Sequence, residues 1–448
     1  MFDEWRTPGG EVAVVGLGRS GISVSRLIHH QGIAVYASDA APLPLDGPSA
    51  ALAAEGVVVE TGGHDIPRIA RATAVVVSPG VPPGSPVLVA VREAGRPVFA
   101  EVDVAARMLP RTTPIIGITG TNGKTTTTAL VAHLLDACGC SAVAAGNIGL
   151  PLSEVAVLAD PPAVVAVELS SFQLHDAPNL RPAVGVLLNL APDHLDRYES
   201  LDDYYADKRN LFRDATPDSV WVTNADDPDV LRMMEGVPGA HLRFSVEREA
   251  DGWLDSATGN LMVAGQAVVA AGELQLLGRH NVANVLAAVL AVHAVGLPLE
   301  ELGKPAAGFP PLPHRLEPVR EVAGVLWIND SKATNVVSAA MATASIDRPF
   351  VLLLGGRHKG ASYDTLIPTL GRCRAIVTFG EAAAQVVADL TGTAPIVREK
   401  EFADVIRRAA ELAHDGDAVL LSPACSSFDM FADYEERGDA FRDAVARL

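Results

Sequence analysis

The chain has 448 residues, 49% of them hydrophobic, and a formal net charge of −19. That length predicts two to four domains with apolar residues enough for several cores, and the charge argues against nucleic acid or an anionic membrane as the main partner. The start is polar, with Asp3, Glu4 and Pro8, and does not read as a signal peptide; no run approaches the ~20 apolar residues of a membrane span. A cytoplasmic protein, monomeric by default, is expected. Cys138, Cys140, Cys373 and Cys425 form no C-x-x-C pair and read as small buried apolar residues in a reducing compartment.

Residues 1–102 alternate strand and helix patterns. Glu11–Val15 reads as a strand, Gly16-Leu-Gly18-Arg19-Ser20-Gly21 as a glycine turn, and a helix follows to about His30. Ile33–Ser38 is the next strand, ending at Asp39, and Val57–Val59 and Ala74–Ser78 continue the pattern. G-x-G-x-x-G with an acidic residue about 20 positions on is the dinucleotide-site signature. A tight strand–helix turn without a ligand gives the same pattern.

The second segment, 103–311, opens with the run Pro114-Ile-Ile-Gly-Ile118, then Thr119-Gly120-Thr121-Asn122-Gly123-Lys124-Thr125-Thr126-Thr127 and a helix pattern. Strand, glycine loop, Lys-Thr, helix cradles nucleotide phosphates: backbone N–H groups and the helix N-terminus face the anion, lysine adds a point charge, and the threonine hydroxyl can ligate Mg²⁺. The usual first glycine would stand at Ile118 but has moved to Gly120, which marks a particular subtype. Buried-type strands at 164–168, 184–189 and 220–224 each end in a polar residue. Ligands bind at the carboxyl ends of strands in open α/β sheets, which puts Glu168 and Asn189 on the active edge. Residues 241–276 read as a small β layer, and a helix from about Asn281 to Val295 closes the segment.

The proline-rich stretch Gly308–Pro313 reads as a junction before a third α/β domain, 312–448, with strands at 325–330, 350–356, 375–380 and 419–422. The expected fold is α/β in three domains: Rossmann-like, then P-loop ATPase-like with the β layer, then Rossmann-like.

A carboxylate ending a buried strand, Glu168, is costly unless paired or metal-bound. His194 in Asp193-His194-Leu-Asp196-Arg-Tyr198 reads alone as a surface histidine, and Lys208 as a solvated helix face. Only six lysines occur, at 124, 208, 304, 332, 359 and 400. A chain that otherwise prefers arginine keeps lysine where arginine cannot do the chemistry. The last domain offers His314-Arg315, and three polar loops follow its strands: Asp330-Ser-Lys332-Ala-Thr334-Asn335, Arg357-His358-Lys359, and Ser422 to Ser427-Phe428. Each alone is compatible with ordinary turn chemistry; three at three strand ends suggest a composed site.

T-G-T-N-G-K-T-T at 119–126, E-L-S-S-F-Q at 168–173, D-H-L-D-R-Y at 193–198 and G-R-H-N at 278–281 together resemble the Mur ligase family, in order and over essentially the whole chain. D-S-K-A-T-N at 330–335 and S-P-A-C-S-S-F-D at 422–429 resemble its D-glutamate-adding members. The resemblance implies an ATP-dependent amide ligase of peptidoglycan-precursor synthesis with UDP-N-acetylmuramoyl-L-alanine and D-glutamate as substrates, an acyl phosphate between them, and ADP and phosphate as products. It implies ATP contacts from Thr121 to Thr127 and from Asn281, Asn284, Arg315 and Asp330. It implies two Mg²⁺ on Thr125, Glu168, His194 and Lys208, the lysine as a carbamate formed with CO₂. Lys332 is implied at the acyl phosphate, and Lys124, Glu168, His194, Lys208 and Lys332 form the implied catalytic set. The UDP-substrate is implied on Gly18, Arg19, Ser20, Asp39, Ser78, Gly80, Gly146, Asn147, Ser170 and Gln173, and D-glutamate on Thr334, Lys359, Ser427, Phe428 and Tyr434. Ala40-Ala41 after Asp39 and Arg357-His358 before Lys359 depart from the commoner pattern. Other amide ligases of the family, an NAD-dependent dehydrogenase with an appended ATPase, and a nucleotide-gated scaffold stay open, although the scaffold gives no reason for Glu168, His194 and Lys208.

Overall fold

The computed structural model describes residues 2–44, 46–193 and 197–448. It is an α/β protein with three sheets. The first contains β1 (Val12–Val15), β2 (Val35–Asp39), β3 (Val58–Thr61), β4 (Ala74–Val77) and β5 (Val98–Ala100), all parallel in the order β3-β2-β1-β4-β5. Strands buried on both faces read as continuous apolar runs, as Val12–Val15 and Ala74–Val77 do. Strand order reverses between β1 and β4, so a crevice opens at their carboxyl ends, where α1 (Arg19–His30) begins.

The second sheet runs β14-β13-β12-β11-β10-β9-β6-β8-β7. Its strands are β6 (Ile115–Thr119), β7 (Ala142–Gly146), β8 (Val164–Glu168), β9 (Val184–Leu187), β10 (Val220–Asn224), β11 (Ala240–Ser245), β12 (Gly252–Leu254), β13 (Asn260–Val263) and β14 (Gln266–Ala270). The stretch read as a β layer supplies β11–β14, joined to the sheet by the parallel pairing of β10 with β11. In the third sheet β15 (Glu317–Val322), β16 (Val325–Asn329), β17 (Phe350–Gly355), β18 (Cys373–Phe379), β19 (Ile396–Arg398) and β20 (Ala418–Leu421) lie in the order β15-β16-β20-β17-β18-β19, parallel except for the β15–β16 hairpin. Both faces of this sheet are covered by apolar clusters, around Phe350 and Leu352 on one side and Trp327 and Phe441 on the other.

The chain forms two compact units: up to Val269 with Asn284–Ala306, and Ala270–Ala283 with Ala307–Leu448. No helix among the described residues is long and apolar enough to cross a membrane. Of the four cysteines only Cys425 is buried; the other three are half-buried, against the expectation, because they flank turns and strand ends rather than the sheet interiors.

Glu101, directly after β5, is completely buried. Its Oε1 accepts the Ser153 N–H at 2.6 Å, while Oε2 has no partner among the described residues. Burial pushes its carboxyl up to about 7 from the ordinary 4.5. A raised folded value means the group's contribution is complete below pH 4.5 and is lost as pH rises through 7. Glu101→Gln is therefore expected to lose less stability than wild type between pH 5 and 8, by about 2–3 kcal/mol, read as a narrower difference in Tm. An equal difference in both proteins refutes the assignment.

Candidate functional site

The phosphate loop leaves the fully buried β6 and ends where α2 (Lys124–Ala137) begins. Gly123 caps that helix at φ +84°, and a Cβ there would stand 2.4 Å from Asn284 Oδ1. Only glycine serves at this position, for conformation and for space. Asn189, after β9, clamps the loop from the neighbouring strand: its Oδ1 accepts the Asn122 N–H at 2.8 Å and its Nδ2 donates to Asn122 O at 3.0 Å. Thr121 N–H donates to Asn189 O at 3.0 Å, and the Thr121 hydroxyl donates to Ala191 O at 3.1 Å. Lys124 folds back over the loop, donating to Gly120 O and Thr121 O at 2.9 and 2.8 Å. Thr125 is half-buried in the first turn of α2, and Thr126 and Thr127 are buried beside it.

Parallel pairing of β6 with β8 sets Glu168 beside the loop, in register with Ile118. The carboxylate is 2% exposed. Asn147 Nδ2 donates to its Oε1 at 3.0 Å, and Oε2 is buried without a partner among the described residues. Lys208, on α3 (Leu201–Arg209), contradicts the solvated-face reading: it is 1% exposed, with Nζ donating to Gly120 O at 2.7 Å and lying 4.6 Å from the centre of the Tyr204 ring. Burial first, and the positive charge of Lys124 second, hold its amine well below the usual lysine range, against the pull of Asp193, Glu168 and Asp207. The loop, Glu168, Lys208 and Asn284 thus converge in one unit. His194 lies outside the described residues. No cluster of three or more His, Cys, Asp or Glu that could hold a metal occurs among the described residues.

The crevice of the first sheet is a cavity of about 690 Å³ lined by Gly18, Arg19, Ser20, Asp39, Ser78, Gly80, Gly146 and Asn147, the expected substrate positions. Asp39 receives Leu17 N–H at 2.7 Å on one oxygen and Ala41 N–H at 2.8 Å on the other, which shapes the glycine turn. The Ser78 hydroxyl donates to Gly16 O at 2.8 Å. The Arg19 guanidinium is engaged by Glu154 at 3.1 Å and Gly149 O at 3.0 Å. Ser170 and Gln173 lie apart from the cavity lining, as a capping box at the helix Ser171–His175 just beyond Glu168. The Gln173 Nε2 is buried without a partner among the described residues. His64 and Ser85 line the cavity too. No motif in the sequence points to them; they arrive from loops after β3 and β4.

In the second unit the carboxyl ends of β16, β17 and β20 carry the three polar loops. Asp330 is buried, receiving the Ser422 hydroxyl at 2.8 Å and Leu316 N–H at 3.1 Å, and burial pushes it up to about 7. Arg315 is near enough to lower that value in part. Lys332 Nζ sits 3.6 Å from the centre of the Tyr434 ring. Thr334 N–H donates to Lys332 O at 2.8 Å, Ser427 is buried, and Lys359 and Phe428 are exposed. Asn281 is buried in this unit, its Nδ2 donating to Leu277 O at 2.8 Å. Arg437, which the sequence reading passed over, is fully buried. It donates to Ser331 Oγ at 2.9 Å, Ser331 O at 2.8 Å and Cys425 O at 3.1 Å, tying the loop of Lys332 to the loop of Ser427.

Three family descriptions match in order: "Mur ligase MurD-like, N-terminal domain" over 10–100, "Mur ligase middle domain" over 118–292 and "Mur ligase, glutamate ligase domain" over 314–425. A protein of Anaeromyxobacter dehalogenans named UDP-N-acetylmuramoylalanine–D-glutamate ligase is 43% identical, over 97% of this chain and 97% of its own length. One of the same name from Salinibacter ruber is 42% identical, again over 97% of both. The chain belongs to the Mur ligase family. It is an ATP-dependent amide ligase of peptidoglycan-precursor synthesis. The fold is shared with two solved structures: a pseudomurein peptide ligase type C from Methanothermus fervidus (20% identity, 98% of this chain and 99% of the other, TM-score 0.62) and a UDP-N-acetylmuramate-alanine ligase from Thermotoga maritima (18%, 98% and 99%, 0.63).

The Mur ligase use of Mg²⁺ fits the donors present. A hard cation takes oxygen ligands, and here a buried carboxylate oxygen without a partner stands one strand from a phosphate loop that offers the Thr125 hydroxyl.

Proposed function

We propose that the protein joins D-glutamate to UDP-N-acetylmuramoyl-L-alanine in the cytoplasm, consuming ATP. The observation that carries this reading is the buried, half-satisfied Glu168 beside the phosphate loop, in a chain alike end to end with ligases named for that reaction. In the proposed division, 1–102 holds the UDP-substrate, 103–311 holds ATP, and 312–448 holds the amino acid. The cavity at the first sheet has the size of a nucleotide-type site. The backbone of Gly18 to Ser20 at the start of α1 holds UDP, Asp39 stands near the uracil with Ser78 and Gly80 close by, and Gly146-Asn147 meet the diphosphate and the reacting end.

The substrate carboxylate attacks the γ-phosphorus of ATP, and ADP leaves. The amine of D-glutamate then attacks the carbonyl carbon of the acyl phosphate; the C–O bond breaks, phosphate departs, and the nitrogen gives up its proton. Lys124 and the loop hold the β- and γ-phosphates, and Lys332 faces the acyl phosphate. Arg315, Asp330, Asn281 and Asn284 hold the nucleotide. Lys359, Thr334, Ser427, Phe428 and Tyr434 hold D-glutamate. Thr125, Glu168, His194 and Lys208 would hold two magnesium ions, which supply positive charge as phosphoryl moves between anions. A carbamate on Lys208 requires a neutral amine to attack CO₂. The burial and the Lys124 charge that lower Lys208 supply that form, and the product is an oxygen ligand that arginine cannot provide.

The test is phosphate release from ATP and Mg²⁺ with both substrates present or one withheld. ADP and phosphate are expected only when UDP-N-acetylmuramoyl-L-alanine and D-glutamate are supplied together. AMP as product, or turnover indifferent to D-glutamate, would sink the reading.

A further inference from the structure

Lys359 and Ser427, proposed to hold D-glutamate, stand on different loops, after β17 and β20. Lys359 is exposed and Ser427 is 2% exposed. A long lysine at a surface contributes to specificity only if something fixes where its backbone starts. The two loops are fastened in two ways. The first is a short antiparallel bridge between Arg357 and Ser426, with Arg357 N–H donating to Ser426 O at 2.8 Å. The second is a chain of side chains. The Tyr363 hydroxyl lies 3.1 Å from His358 Nδ1 and 2.9 Å from Cys425 Sγ. The His358 and Tyr363 rings are also in contact, tilted 41° to one another with centroids 5.5 Å apart.

Tyr363 is 1% exposed and Cys425 is 0% exposed, so the far end of this chain is anchored in the core. Burial holds the Cys425 thiol up at about 11 and the Tyr363 phenol also above its ordinary value, so both keep their protons at neutral pH. Cys425 is fastened in turn, its carbonyl accepting from the buried Arg437 at 3.1 Å. His358 alone of the three is partly exposed, and it immediately precedes Lys359.

We infer that His358 is a positioning residue for D-glutamate: through Tyr363 and Cys425 it fixes the start of the Lys359 side chain relative to Ser427, and so sets the affinity for the amino-acid substrate. The inference rests on the proposed D-glutamate site. Arg357 does not share this role through its side chain, which turns to Glu381 at 3.3 Å on the surface.

Steady-state phosphate release tests it, each substrate varied in turn with the others saturating. His358→Ala is expected to raise KM for D-glutamate about tenfold, the worth of one lost hydrogen bond in a binding site. KM for ATP and for UDP-N-acetylmuramoyl-L-alanine should not change, and kcat should stay within about threefold. Tyr363→Phe should give the same split, and the double variant should be no worse than the more affected single one, because the residues act as one chain. His358→Asn, whose amide reaches the place of Nδ1, should retain wild-type KM. Circular dichroism melts confirm that each variant is folded.

Unchanged KM for D-glutamate in both His358→Ala and Tyr363→Phe overturns the inference. So does a rise in all three KM values together, which marks a general loss of structure, or an Asn variant as impaired as Ala, which shows that the hydrogen bond to Tyr363 is not what places Lys359. A wild-type protein whose phosphate release ignores D-glutamate refutes the proposed function and this inference with it. An active, D-glutamate-dependent wild type with unaffected variants refutes this inference alone.

Discussion

Lys208→Ala is expected to lower D-glutamate-dependent phosphate release by about 10³-fold or more, the scale on which charge stabilisation of a moving phosphoryl group is lost. The reasoning starts from burial. An amine at 1% exposure, donating 2.7 Å to Gly120 O and close enough to feel Lys124, is disfavoured as a cation. Its neutral form is the nucleophile that CO₂ requires. Lys208→Arg should be as inactive as Lys208→Ala, since guanidinium does not form the carbamate. Millimolar acetate or formate should restore part of the alanine variant's activity by placing a carboxylate in the vacated space, and none of the arginine variant's. Removing bicarbonate should slow the wild type. Activity of Lys208→Ala within tenfold of wild type, or no response to bicarbonate removal or added carboxylate, ends the carbamate proposal.

Gly123→Ala should weaken Mg·ADP binding roughly a hundredfold, measured by titration calorimetry. Two costs add. At φ +84° a side chain costs about 1–2 kcal/mol of backbone strain. The new Cβ also meets Asn284 Oδ1 at 2.4 Å, and the helix behind Asn284 cannot retreat, because Val285, Leu286, Ala287 and Ala288 are completely buried. The loop must move instead, and its amides then no longer converge on one phosphate. Affinity within threefold of wild type would show that the loop tolerates the shift. Because the loop also carries Gly120 O, the acceptor of Lys208, the variant's kcat should fall with its affinity.

The glycine loop, the strand-ending Glu168 and Asn189, and the glycine turn before Asp39 were legible because each is a local pattern: an apolar run that stops at a polar residue or at glycines. The burial of Lys208 was not. Its own helix, Leu-Asp-Asp-Tyr-Tyr-Ala-Asp-Lys-Arg, is polar enough to read as solvated, and the acceptor that takes the amine belongs to a loop 88 residues earlier. Arg437 escaped for the same reason. On Tyr434–Ala446 it looks like one more helix-surface charge, and only the loops of Ser331 and Cys425 folding over it supply three acceptors. His64 joined the first cavity because strand order brings the loop after β3 to the crevice, which no motif around it announces.

The sequence by itself determined the elements, the phosphate loop with its displaced glycine, and the family, since these follow from periodicity, from conformations that only glycine adopts and from motifs in fixed order. Tertiary structure alone decided which charges lose their water. Whether Lys208, Glu168, Asp330 or Arg437 is buried depends on what distant strands bring against it, and desolvation then pulls Lys208 and Arg437 below their ordinary values and pushes Asp330 above its own.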